Sequence, residues 1–189
     1  MKTVIILLLI TITSQAQIFK SKEKRDGFVS VGYAANIPNQ LLGFNLVLAK
    51  ESSLGVYLDY KLDVNKIAGS AEKYDGVTRE IAEGLFGDRY LGTSFETKNI
   101  NFAITYGLST KMALYAGLGY SSASAFREYK DDNFSLSKNG IYWIPNPLEN
   151  EGQPSALVGV LYKYNEFLLQ LGYEDVPRGV TVGVGLIVF

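Results

Sequence analysis

Four ionisable residues fall where chemistry could be concentrated: Asp59, Lys61 and Asp63 alternate along one short segment, and Glu174 lies far downstream in a segment of the same character. Paired carboxylates are the material of general acid–base work, in which one group holds a proton and the other accepts one. The residue that usually completes such sites is missing, because the chain contains no histidine. Histidine has the unperturbed pKa nearest neutrality, and it orients the common serine and cysteine nucleophiles. Without it, Asp59, Asp63 and Glu174 read as an ionic network satisfied by Lys61 and neighbouring amides, since charges taken out of water must be paired. Oxygen ligands recur at Asp63 with Asn65 and at Asp131, Asp132 and Asn133, but neither group has the spacing or terminal Glu of a calcium loop. No residue is assigned a catalytic, cofactor-binding or metal-binding role, and the expectation is a non-enzymatic protein without a cofactor.

Strands must position these groups. Successive side chains of a strand point to opposite faces, so in 54–63 Leu54, Val56, Leu58, Tyr60 and Leu62 share one face while Gly55, Tyr57, Asp59 and Lys61 share the other. In 97–107, Ile100, Phe102, Ile104 and Tyr106 oppose Asn99, Asn101, Thr105 and Gly107; in 166–174, Phe167, Leu169, Leu171 and Tyr173 oppose Gln170, Gly172 and Glu174. Five further alternating runs, 27–36, 43–50, 112–122, 155–163 and 178–189, bring the total to about eight. Most match the roughly 9–11 residues that cross a bilayer as a tilted strand. Lys or Arg facing lipid at mid-bilayer costs roughly 2–4 kcal/mol, and in these runs the charges take the polar face. The fold class expected is therefore all-β: an antiparallel up-and-down transmembrane barrel of about eight strands. Its apolar faces meet lipid, and Tyr57, Tyr115, Gln170 and the inward charges fill its lumen.

Connections are short at 51–53, 108–111 and 164–165 and long after the third and fifth runs, the asymmetry of tight periplasmic turns and larger outer loops. Tyr60, Tyr120 and Tyr173 then lie at outer strand ends, and Tyr106, Tyr162, Phe167 and Phe189 at inner ends, as two aromatic belts. Within the loop 64–96, Val77, Ile81 and Leu85 recur at helical spacing behind Asp75, which predicts a short capped helix over the mouth. The loop 126–154 carries the aromatic, proline-rich IYWIPNP at 141–147, part of which is expected to extend the fifth and sixth strands outside the membrane.

The N-terminal residues carry Lys2, an apolar run from Val4 to Ile12, and small residues Ser14 and Ala16: the pattern of a secretory signal cleaved after Ala16. The apolar run is shorter than the roughly 18 residues a spanning helix needs. The division expected is signal peptide 1–16, periplasmic lead-in 17–26 with the charged KSKEKRD at 20–26, and a single barrel domain 27–189. With 18 basic and 19 acidic residues, the composition lacks the basic footprint of a nucleic-acid binder, so nucleic acid is excluded as a partner. The absence of cysteine leaves no disulfide and no thiol to carry a lipid.

The export signal, the alternating strands and the terminal GLIVF at 185–189 resemble the small outer-membrane β-barrel proteins of Gram-negative bacteria, the OmpX-like and OmpA-like type. The resemblance covers nearly all of the chain after the signal, through pattern rather than a specific motif. It implies residence in the outer membrane, with membrane lipid and the barrel-insertion machinery as partners. Outer loops are then free to meet surface polysaccharide or a partner protein. The terminal signature of that family places its final aromatic on the apolar face. Here Phe189 shares parity with Ile187, Gly185, Gly183 and Thr181 while the valines take the other face, so either a bulge or a rim position for Phe189 is expected. A second reading keeps the barrel but removes the membrane: a secreted soluble β-barrel whose apolar faces line a cavity for an apolar ligand.

Overall fold

A computed structural model describes residues 27–64 and 72–188. The proposed signal peptide, the lead-in, Asn65 and the belt position of Phe189 lie outside the described residues. The strands in chain order are β1 Gly27–Asn36, β2 Leu41–Lys50, β3 Leu54–Asp63, β4 Glu72–Lys73, β5 Arg89–Gly107, β6 Met112–Lys130, β7 Ile141–Pro145, β8 Glu151–Tyr164, β9 Phe167–Asp175 and β10 Arg178–Ile187. Antiparallel pairing runs β6-β5-β3-β2-β1-β10-β9-β8, and β8 returns to pair with β6. That last pairing closes an eight-stranded barrel and leaves none of its strands as an open edge within the wall.

β1 and β3 take the bounds read from the sequence, and β2, β8, β9 and β10 lie within a few residues of theirs. β5 and β6 do not: each is 19 residues long, nearly twice what a bilayer crossing requires, so their upper halves stand above the barrel. The expected boundaries at 97 and 122 mark where apolar alternation stops, at Ser94, Thr97 and Ser121 to Ser124. Outside lipid the outward face of a strand no longer needs apolar side chains, so the signal fades while the ladder continues.

β7 and β8 share one edge of β6. Met112 to Ala123 pair with β8, and Phe126 to Lys130 pair with β7. The two are one line of strand interrupted by Asn146 and a short turn at Pro147–Glu149, where Pro145 and Pro147 cannot donate to the ladder. β4 adds in parallel to β7, with Glu72 opposite Tyr142. Above the barrel there is thus a four-stranded sheet, β4-β7-β6-β5.

β10 pairs with β1 and β9 in unbroken register, so the expected bulge is absent through Ile187. Its valines face out and Thr181, Gly183 and Gly185 face in. The glycines are there because of what opposes them: a Cβ on Gly185 would sit 2.3 Å from Ser30 Oγ, and one on Gly183 2.7 Å from Gln170 Oε1. The lumen side of this seam is already occupied by neighbouring side chains, and only hydrogen fits.

Candidate functional site

Three polar side chains expected inside the barrel meet there. Lys61 on β3 and Glu174 on β9 are 0% and 1% exposed, and Lys61 pairs across the lumen with Glu174 and along its own strand with Asp59. One ammonium faces two carboxylates, and amides supply the remaining donors. Glu174 Oε2 accepts from Asn36 Nδ2 at 3.2 Å and Asn99 Nδ2 at 3.0 Å; Oε1 accepts from Thr181 Oγ1 at 2.8 Å and Asn101 Nδ2 at 3.3 Å. Asn101 also donates to Asp59 Oδ1 at 2.8 Å, and the Tyr57 hydroxyl donates to Asp59 Oδ2. Residues from β1, β3, β5, β9 and β10 are joined in this way.

Below the ionic cluster, Gln170 donates to Tyr57 Oη at 2.8 Å and Tyr115 Oη at 2.9 Å, and the two tyrosine rings stack with centroids 4.6 Å apart. Gly159 and Gly172 make room for Tyr115, whose hydroxyl would lie 2.5 Å and 2.0 Å from a Cβ at those positions. Nearer the short turns the interior becomes apolar, with Phe28, Val47, Ala49, Leu161 and Leu168 packed together. Chemically the cluster is a clasp. Each carboxylate is bound by several donors, so neither is poised as a free base. Asp63 lies half-buried at the outer end of β3 opposite Leu41.

The outer face of the wall reverses this chemistry. Ile100, Phe102, Ile104, Leu118, Leu171 and Val184 point outward, with Leu171 59% exposed. Tyr33, Phe44, Tyr60, Ile100 and Tyr120 are consecutive register partners across five strands and form a largely aromatic row at the outer end of the wall. Tyr106, Tyr162 and Phe167 are exposed near the opposite end. Apolar rows outside, paired charges inside and a closed wall are the arrangement that lipid, not water, demands. The chain is a closed eight-stranded antiparallel β-barrel with the facing of a transmembrane barrel.

No protein-family model and no curated protein matches the sequence. Among solved structures, the chain is similar in fold to a crystal structure of Ail, the attachment invasion locus protein of Yersinia pestis, in complex with the heparin analogue sucrose octasulfate. The identity is 15%, coverage is 85% of this chain and 94% of that one, and the TM-score is 0.43. A second crystal structure of the same Yersinia protein is similar at 15% identity, covering 85% of this chain and 93% of that one with a TM-score of 0.41.

The sheet above the barrel has a core of its own. Tyr129 on β6, Tyr142 and Ile144 on β7 and Ala82 pack together, with Tyr74, Val77 and Leu136 against them. Tyr129 and Tyr142 stack at 5.7 Å; Tyr142 donates to Asp88 Oδ2 at 2.7 Å, and Tyr129 donates to Glu83 Oε1 at 3.0 Å. Burial first, and then the Glu83 carboxylate, push the Tyr129 phenol up to about 12, while burial and Asp88 raise that of Tyr142. Both therefore remain donors at any physiological pH.

The helix expected from Val77, Ile81 and Leu85 is a wide π-type turn at Ile81–Phe86. Asp75 does not cap it; its N-cap position is Glu80, without a side-chain cap, and just before it Thr78 Oγ1 accepts from the Ile81 N–H at 3.3 Å. Gly87 ends it in the left-handed region at φ 70°. The wider turn points Ala82 at the two tyrosines and leaves Leu85 75% exposed. Asp131, considered above as a cation ligand, is instead a loop organiser: its carboxylate accepts from the N–H groups of Ser135, Leu136 and Ser137 at 3.0, 2.7 and 2.7 Å. Burial alone would raise its pKa, but these donors outweigh it and hold the carboxyl below the ordinary carboxylate range. Sequence reading missed Asp88, Glu83 and Tyr142 as partners. The available signal was the parity of Arg127 and Tyr129, which continues the lumen-facing face of β6 past the membrane.

Proposed function

We infer that the protein is a non-enzymatic integral outer-membrane barrel that carries a rigid contact platform on the cell surface. Its partners are surface polysaccharide or protein, and side chains fill its lumen. One observation carries this reading: β5 and β6 continue eight or so residues past the membrane wall into a sheet with its own aromatic core, more structure than a loop needs merely to connect two strands. Non-enzymatic action accords with the lack of histidine and with carboxylates consumed by donors. A filled lumen accords with the strand count, because eight strands enclose a space just wide enough for side chains whereas open porins use about 16–18.

The soluble alternative requires the apolar faces to point into a cavity. They point outward, and the interior carries Lys61, Asp59 and Glu174, so an apolar-ligand carrier is set aside.

Because the chain lacks cysteine, single cysteines report topology cleanly. Lys138→Cys should react with an impermeant maleimide on intact cells, and Ser109→Cys should react only after permeabilisation. Replacing 74–88 and 131–140 with short turns should leave the barrel folded and abolish binding of protein-loaded nanodiscs to immobilised surface polysaccharides and envelope proteins. Binding that survives the replacement, or a large steady conductance in planar bilayers, would contradict the reading.

A further inference from the structure

On the lumen-continuous face of the platform lies a cavity of about 150 Å³ that neither the barrel nor the aromatic core uses, lined by Arg79, Glu83, Tyr90, Arg127, Tyr129 and Glu149. Its floor is aromatic. The Tyr90 ring leans on buried Tyr129 with centroids 5.6 Å apart, yet it is 46% exposed, and a hydrogen bond between its hydroxyl and Thr93 Oγ1 at 2.8 Å fixes its orientation. One wall is a prepositioned acceptor: the Glu83 carboxylate is held by Arg79 Nε at 3.1 Å to each oxygen and by the Tyr129 hydroxyl. The other carries a donor fork. Arg127 is half-buried, and among the described residues its guanidinium makes no hydrogen bond or ion pair. Five N–H donors in a fixed plane are thus presented to a small space with an aromatic face beneath.

Two arginines line this space against two glutamates, and Glu80 adds its field to Arg127. There is no surplus of positive charge to hold a polyanion. What fits a balanced set of planar donors and acceptors is a molecule whose groups both donate and accept in adjacent pairs, and the exposed ring calls for an apolar C–H face. The volume falls short of the roughly 300–1,000 Å³ of drug-sized sites, which limits the occupant to one ring.

We propose that this cavity binds a single neutral pyranose residue of a polysaccharide, stacked on Tyr90, with vicinal hydroxyls accepting from Arg127 and donating to Glu83 and Glu149. The assignment rests on the platform being the outward contact surface, and it narrows that reading to one sugar class and one site.

Full-length protein in nanodiscs, titrated with the methyl glycosides of glucose, galactose, mannose and N-acetylglucosamine by saturation-transfer NMR and calorimetry, tests it. At least one glycoside should saturate. Its affinity should fall at least about tenfold in Tyr90→Ala and in Arg127→Ala, persist in Tyr90→Trp, and change little with added salt, since no net charge is neutralised. The heat-dependent gel shift of each variant, read on the same samples, separates lost binding from lost folding. Saturation by none of the four, wild-type affinity in Tyr90→Ala, or binding of dextran sulfate alone would overturn the proposal. If the glycosides fail while replacing the platform still abolishes surface binding, the site assignment falls and the contact platform stands.

Discussion

Glu174 receives donors from Lys61, Asn36, Asn99, Asn101 and Thr181 while 1% exposed, so its charge is tolerated only because every direction of approach is occupied. Removing one partner of a buried ion pair costs about 3–5 kcal/mol, because the remaining charge keeps its desolvation and loses its compensation. Lys61→Met should therefore lower the unfolding free energy by about that amount in a urea titration of the micelle-embedded protein near pH 8. A loss below about 1 kcal/mol would mean that the amides alone satisfy the two carboxylates. The residue types of this cluster were legible from alternation: Asp59, Lys61 and Glu174 fall on the polar parity of their strands. Their meeting in one lumen network, with Lys61 and amides as donors, follows from that shared parity; which amides take part does not, because β3 and β9 are far apart in sequence and which side chains face each other depends on shear and closure of the whole wall.

Strands divide at the membrane surface, and the two halves obey different rules. Within lipid the outward face of β5 must be apolar. Phe102→Arg should cost about 2–4 kcal/mol, whereas Leu91→Arg, above the wall on the same strand, should stay within about 0.5 kcal/mol; equilibrium unfolding of both variants checks the contrast. The same division explains what could be read. Strand faces and both ends of β1 and β3 follow from period-two alternation, but the extensions of β5 and β6 pass through Ser94 and Ser121 to Ser124, where nothing enforces alternation. The turn at Ile81–Phe86 was read one face away, since a π-type geometry breaks the spacing that pointed to Leu85.

In the loop after β6, Asp131 makes a pH-dependent fastening. A carboxyl whose folded pKa lies below its unfolded one stabilises the fold above the unfolded value, and that contribution is lost as pH falls through the folded value. Protection of 131–140 from pepsin should hold through the ordinary carboxylate range and be lost progressively as pH falls below it, while Asp131→Asn should be cleaved readily throughout. Equal, pH-independent protection in both proteins would remove Asp131 from this role.

At the scale of the whole molecule, an apolar exterior, an ionic interior and a wall closed by β6 and β8 make one claim: the chain is stable only as a barrel surrounded by lipid. Closure has a direct physical signature, because a barrel that resists detergent migrates compactly until heat opens its ladder. The decisive measurement expresses the full chain, isolates the envelope and compares boiled with unboiled samples on a denaturing gel. The expected result is recovery in the outer-membrane fraction with a heat-dependent change in mobility. Recovery as a soluble protein whose mobility is the same before and after boiling would contradict the account.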